Sequence, residues 1–227
     1  ALISAVVTSK IDVRPEVQRT SESALHLHHY ENAMPKRPPY LPGHYYHIYN
    51  RGAHRTSIFR EDDNYIFVLR KIKDYCRSLA LTLIAYCLMP NHYHYLIRQD
   101  GEYPAGLLPQ RVFNSYTKAY NKRYGHSGTL FEGNYKVTLV EDQAHLIHLC
   151  RYIHANPVKH GLVASVAEWP YSNYLEWIGE RDGTLVDRDF VREHFPSPQV
   201  YREFVLDYLT EQSLPEELDA YLSVWEQ

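Results

Sequence analysis

Two apolar runs separated by a Pro-Asn pair constrain this chain more than any other feature in it. Residues 79–88 are almost wholly apolar, Pro90-Asn91 interrupts them, and His92-Tyr93-His94-Tyr95-Leu96-Ile97 resumes the pattern. Runs of this length, joined by so short a turn, predict an antiparallel β-hairpin. Alternate side chains of a strand share a face, so His92 and His94 project together while Tyr93 points the other way. Two imidazoles side by side on a sheet can hold one divalent cation. The same spacing is equally that of two histidines on a half-exposed strand, and the remaining sequence has to decide between them.

Around this hairpin the elements alternate. Residues 44–51 read as a strand ending at Gly52. Residues 61–79 read as a helix, with Asp62-Asp63 at its positive end and Ile66, Leu69, Ile72 and Cys76 at helical spacing. Residues 104–124 read as a second helix rich in basic and aromatic side chains. Turn residues and a strand follow to Val140. Residues 142–155 read as a third helix, which Asn156-Pro157 should stop. The order predicts an α+β ferredoxin-like sandwich, one antiparallel sheet with helices on one face.

The flanks read differently. Residues 1–43 form an N-terminal extension with a Pro-rich linker, in which Met34 is an alternative start. Within it Leu25-His26-Leu27-His28 repeats the histidine spacing without an apolar strand to carry it. Residues 44–177 form the main domain, and 178–227 an acidic helical tail with helix-like stretches at 186–195 and 200–225. Three cysteines, an odd number without Cys-x-x-Cys, suit a reducing cytoplasm. No apolar run is long enough to span a bilayer, and no secretory leader pattern opens the chain, so the expected location is the cytoplasm or nucleoid.

The net charge of −3 hides an asymmetry. Residues 34–160 hold 17 Lys+Arg against 9 Asp+Glu, whereas 161–227 hold 4 against 14. A basic middle and an acidic end outline a nucleic-acid binder with an appendage. Two readings of the appendage follow. Either it lies free from about Gly179 and competes with DNA for the basic surface, or Phe190, Phe195, Tyr201, Phe204 and Tyr208 bury it as part of the domain.

The third helix carries Tyr152 and Asn156, four residues apart and therefore on one face. Alone they read as a core tyrosine and a helix-capping amide. Together with His92-Tyr93-His94, the stretch Tyr152-x-x-x-Asn156-Pro157-Val158-Lys159-His160-Gly161 resembles the REP-associated tyrosine transposases, single-tyrosine members of the HUH endonucleases. Further matching blocks are His47-Ile48-Tyr49-Asn50-Arg51-Gly52, Leu88-Met89-Pro90-Asn91-His92, Leu130-Phe131-Glu132-Gly133 and Trp169-Pro170-Tyr171-Ser172. Family members often have Arg where this chain has Asn134, which leaves one DNA contact in doubt.

The resemblance implies cleavage and rejoining of single-stranded DNA beside a palindromic hairpin, through a 5′-phosphotyrosine. It implies His92, His94 and Asn156 as ligands of Mg²⁺ or Mn²⁺, and Tyr152 as nucleophile, in a monomer or homodimer. DNA contacts are expected from Asn50, Arg51, Arg55, Arg111, Lys118, Lys122, Arg123, Lys136, Lys159 and His160. Tyr116 and Tyr120 on the basic helix are rival nucleophiles, better suited to stacking bases. His148, one turn before Tyr152, is a candidate base. The alternative function is a non-catalytic nucleic-acid-binding module on the same fold.

Overall fold

The computed structural model describes residues 37–211, 214 and 220. Leu25–His28 and most of the expected helix beyond Glu211 lie outside them. Strands β1 (Tyr45–Arg51), β2 (Leu81–Met89), β3 (His92–Gln99) and β4 (Lys136–Val140) form one sheet in the order β2-β3-β1-β4. Every neighbouring pair is antiparallel. The predicted hairpin turns at Pro90-Asn91, with Met89 opposite His92.

Helices α1 (Asp62–Leu79) and α2 (Leu107–Tyr124) cover one face. Val68, Ile72, Leu108, Val112 and Phe113 pack there against Tyr46, Ile48, Tyr93, Tyr95 and Ile97. Helix α3 (Gln143–Lys159) starts at Asp142, whose carboxylate accepts the His145 N–H at 2.7 Å. It covers the opposite face, burying Leu149, Cys150 and Ile153 among Ile84, Ala85, Cys87 and Leu96. The α+β antiparallel sandwich is therefore the expected one, but helices on one face alone is too few. The central strands are apolar on both sides, and each side needs a cover.

Two further readings change. Helix α3 does not stop at Asn156-Pro157 but continues to Lys159, with Pro157 inside its last turn. Close to the end the missing N–H costs a single bond, and the His160 N–H still reaches the Asn156 carbonyl at 3.0 Å. The acidic end is not a free cover. Helices α4 (Tyr174–Trp177), α5 (Arg188–His194) and α6 (Pro198–Glu211) continue the α3 side of the core, where Trp177, Phe190, Phe195, Tyr201, Val205 and Tyr208 are buried. Most acidic residues of this segment face outward, with Glu176 buried against Arg181, so net charge says little about its apolar interior.

The Trp169-Pro170-Tyr171-Ser172 block closes the outer edge of β2. The Leu88 N–H donates to the Tyr171 carbonyl at 2.9 Å, and the Trp169 indole donates to the Leu88 carbonyl at 3.1 Å. Asn173 then pins the segment. Its amide donates to the carbonyls of Ile84 at 2.8 Å and Leu185 at 3.2 Å, and its oxygen accepts from the Tyr86 N–H at 2.9 Å. The His154 Nε2–H donates to the same oxygen at 2.8 Å. Asn173→Ala would strand the Tyr86 N–H, the His154 Nε2–H and the Leu185 carbonyl, while the Ile84 carbonyl keeps the Trp177 indole N–H at 3.2 Å; the cost is about 1–3 kcal/mol for the first and less for each that finds water. We expect a loss of about 3 kcal/mol in urea unfolding; a loss below about 1 kcal/mol would contradict the anchoring role.

Candidate active site

The strand order puts one row of side chains on the α3 face. Tyr49 sits opposite His94 and Arg51 opposite His92 across β1 and β3, and Lys136 on β4 sits opposite Tyr49. Helix α3 crosses this row and brings Tyr152 edge-on to His94, their ring centroids 5.6 Å apart. A cavity of about 490 Å³ opens there, lined by His92, His94, Tyr152, Asn50, Arg51, Arg55, Lys136 and His160, with Tyr49, Asn91 and Glu132.

Hydrogen-bond polarity decides what the site can hold. At one end the Asn156 amide donates to the Tyr152 carbonyl at 2.8 Å, so Asn156 Oδ1 is the atom turned toward the histidines. At the other end the Asn91 amide donates to the Arg55 carbonyl at 3.5 Å, which turns Asn91 Oδ1 onto His92 Nδ1 at 2.7 Å. That oxygen only accepts and lies closer than Asn156 Oδ1, 2.7 Å against 3.5 Å, which favours the tautomer with the proton on His92 Nδ1 and a lone pair on Nε2. His92 Nε2 and Asn156 Oδ1 then face each other across 3.5 Å as two acceptors. His94 Nδ1 lies 3.0 Å from His47 Nε2, leaving His94 Nε2 for the cavity. The His94 ring lies beside His92, centroids 5.3 Å apart. Among the described residues no carboxylate is recorded with this set, and two neutral imidazoles with an amide oxygen could hold a divalent cation of the Mg²⁺ or Mn²⁺ kind.

The imidazoles are held in the neutral, ligating form. Burial lowers the His92 pKa to about 4, and the neighbouring His160 pushes in the same direction. Burial lowers His47 to about 3, and burial together with His47 holds His94 well below the ordinary histidine value.

The remaining expectations divide by face. Lys159 lies near the cavity, its Nζ 5.1 Å from the Tyr152 ring centroid while it donates to the Tyr208 hydroxyl at 3.0 Å. Arg111, Lys118, Lys122 and Arg123 are on α2, across the sheet from Tyr152. Arg123 there pairs with Glu61 at 2.7 Å, and the Arg111 guanidinium sits 5.9 Å from the Tyr75 ring centroid. The rival nucleophiles are committed elsewhere: the buried Tyr116 and Tyr120 rings donate their hydroxyls to the Ile58 and Ser57 carbonyls at 2.5 and 3.0 Å. His148 packs its ring on Phe204 of α6 instead of entering the cavity.

His47, Tyr49, Asn91 and Glu132 join the site without having been singled out for it. The signal for the first two was present. His47-Ile48-Tyr49 has the same alternation as His92-Tyr93-His94, and pairing the two strands puts both sets on one face. Glu132 holds Arg51 Nε at 2.7 Å on the rim, a contact between residues 81 apart that spacing cannot reveal.

The fold is that of an α+β protein, a four-stranded antiparallel sheet with helices on both faces. A solved structure of a REP-associated tyrosine transposase bound to a REP hairpin superposes with a TM-score of 0.56 at 18% identity, covering 68% of this chain and 94% of that one. The chain belongs to the IS200-like transposase family, whose model matches residues 41–156. A REP-associated tyrosine transposase of Haemophilus influenzae is 32% identical over 113 residues, 45% of this chain and 64% of the relative's own length. No described helix is long and apolar enough to cross a membrane.

Proposed function

We propose that the protein is a metal-dependent endonuclease and strand transferase that cuts single-stranded DNA beside a hairpin through Tyr152. The observation that carries this reading is the meeting, in one cavity, of Tyr152 with two neutral imidazoles and a rim of cations, with Asn156 Oδ1 3.5 Å behind His92 Nε2. Family membership supports the transposase class, and the hairpin bound by the structural neighbour supports the substrate class.

The residues divide the work. Arg51, Arg55 and Lys136 draw the sugar-phosphate backbone into the cavity. His92, His94 and Asn156 would hold the divalent ion. When bound, that ion supplies polarisation of the scissile phosphate and neutralises charge as the transition state forms. Tyr152 Oη attacks phosphorus, the Oη–P bond forms and the bond to the 3′-oxygen breaks. A phenol is protonated at neutral pH, so its proton leaves as attack proceeds, and the departing 3′-oxygen gains one. Lys159 puts a cation beside the ring on which phenolate charge develops. The 5′-phosphotyrosine keeps the bond energy, so a second strand's 3′-hydroxyl reverses the step and rejoins DNA without ATP.

A labelled single strand carrying a hairpin, incubated with Mn²⁺, should give a protein–DNA adduct on a denaturing gel. Blunt duplex without a hairpin should give none, because its stacked backbone cannot enter the cavity. His92→Ala, or chelation of the unsubstituted protein, should reduce cleavage by roughly a thousand-fold, several kcal/mol of charge stabilisation. Hairpin affinity in a gel shift should fall less than about threefold, since phosphate contacts dominate it. Full cleavage by His92→Ala in chelator would overturn the reading. A hairpin bound tightly but never cut would favour the non-catalytic binding module.

A further inference from the structure

The turn residue Asn91 stands outside the cation-holding set, yet it makes three directed hydrogen bonds at the rim of the cavity. Its backbone carbonyl accepts the Gly52 N–H at 2.7 Å. Its side-chain amide donates to the Arg55 carbonyl at 3.5 Å, and its side-chain oxygen accepts from His92 Nδ1 at 2.7 Å. The loop it grips is unusual. His54 and Arg55 are successive non-glycine residues in the left-handed region, with φ of 55° and 58°. Such backbone costs of order 1–3 kcal/mol per residue and persists only where surrounding contacts hold it. Gly52 starts the loop because a Cβ there would lie 2.2 Å from the Thr56 carbonyl oxygen.

We infer that Asn91 is a positioning residue which sets the tautomer of His92 and, through the same amide, the placement of the Arg55 loop. The inference rests on the cation site proposed above. The logic is one of direction. A backbone carbonyl only accepts, so bonding to Arg55 orients the Asn91 amide; the amide oxygen then faces His92 and draws the ring proton to Nδ1. The lone pair is thereby left on Nε2, opposite Asn156 Oδ1. One amide thus links the geometry of a cation ligand to that of a cation meant for phosphate. Bonding partners of ligating imidazoles carry weight out of proportion to their distance from the ion, typically ten- to a hundred-fold in affinity.

The test has a readout that needs neither metal nor DNA. Long-range ¹H–¹⁵N spectra of the histidine rings, recorded on the full-length, metal-free protein at pH 8, report which nitrogen bears the proton; His92→Gln identifies the signals. The unsubstituted protein should show His92 protonated at Nδ1. Asn91→Leu, which keeps the γ-branched shape and removes the acceptor, should move it toward the Nε2-protonated form that free imidazole side chains prefer. Mn²⁺ titrated by electron paramagnetic resonance should bind Asn91→Leu at least ten-fold more weakly. Asn91→Asp keeps an acceptor for His92 but loses the donor to Arg55. It should hold Mn²⁺ at least as tightly as the unsubstituted protein while losing several-fold affinity for single-stranded DNA at low salt.

His92 protonated at Nε2 in the unsubstituted protein overturns the inference whatever the metal does. So does Asn91→Leu binding Mn²⁺ within two-fold of the unsubstituted protein. If the tautomer is as stated and no variant binds Mn²⁺, the positioning role stands and the cation site of the proposed function fails. Circular dichroism and thermal melting of Asn91→Leu exclude loss of folding, because Asn91 is only half-buried.

Discussion

Tyr152→Phe is expected to eliminate the covalent protein–DNA adduct while leaving the protein folded and its hairpin binding intact. The ring is 2% exposed and packs edge-on against His94, with the Lys159 ammonium over its face. Phenylalanine keeps all of that packing. The lost hydroxyl should cost about 1 kcal/mol of stability, the ordinary worth of one hydrogen bond. The proposed chemistry, by contrast, loses the atom that attacks phosphorus, so adduct should fall below detection instead of merely slowing. Tyr116→Phe makes the matched control. Its hydroxyl is bonded to the Ile58 carbonyl on the other side of the sheet, so adduct formation should persist. An adduct that survives Tyr152→Phe and disappears in Tyr116→Phe would reverse the assignment.

The second large effect is on folding. Ending the chain at residue 186 removes Phe190, Phe195, Tyr201, Val205 and Tyr208, all buried against α3 and its neighbours. At about 1.5–3 kcal/mol for each fully buried apolar side chain, the loss is of order 10 kcal/mol, comparable to the whole stability of an ordinary domain. The cut also uncovers Arg151, whose guanidinium lies 4.4 Å from the Phe204 ring centroid, and takes away the Tyr208 hydroxyl that holds Lys159. The truncated chain should therefore fail to show a cooperative melt, and cleavage should vanish with the fold. A truncated protein that melts as the full-length one does, and binds random strands more tightly, would restore the alternative of a free acidic cover.

What could be read from sequence follows from what each signal measures. Strand alternation is local, so the hairpin and the shared face of His92 and His94 were legible in residues 79–97. Helical periodicity is local too, so Tyr152 and Asn156 could be put on one face of their helix. Their meeting with the histidines was carried by the family resemblance, because a contact across some sixty residues leaves no mark in spacing. Charge counting was the weakest guide. It cannot tell which side of a sheet a helix covers, so the expected DNA contacts Arg111, Lys118, Lys122 and Arg123 gave no sign that the sheet lies between them and Tyr152. It likewise could not choose between a free acidic cover and a segment buried through Phe190, Tyr201 and Tyr208, which are in fact part of the core. Asn156-Pro157 looked like a stop because proline rules describe helix interiors, whereas here the ring falls in the last turn.

The His47 and Tyr49 pair of β1 shows why register matters. His47 and Tyr49 were legible as strand residues, but their neighbours depend on β1 lying between β3 and β4. A strand order of that kind is set by tertiary packing, and only with it does His47 come within 3.0 Å of His94. Asn91 was likewise legible as a turn residue, and its side-chain direction was not.

The most direct measurement of the central claim is peptide mapping of the trapped complex. The full-length protein would be incubated with Mn²⁺ and a hairpin-bearing single strand, quenched, digested with nuclease and protease, and sequenced by mass spectrometry. The nucleotide remnant should be found on the peptide containing Tyr152, attached through a 5′-phosphate, and should be absent when chelator replaces Mn²⁺. A remnant on any other residue, or one that forms equally well in chelator, would contradict it.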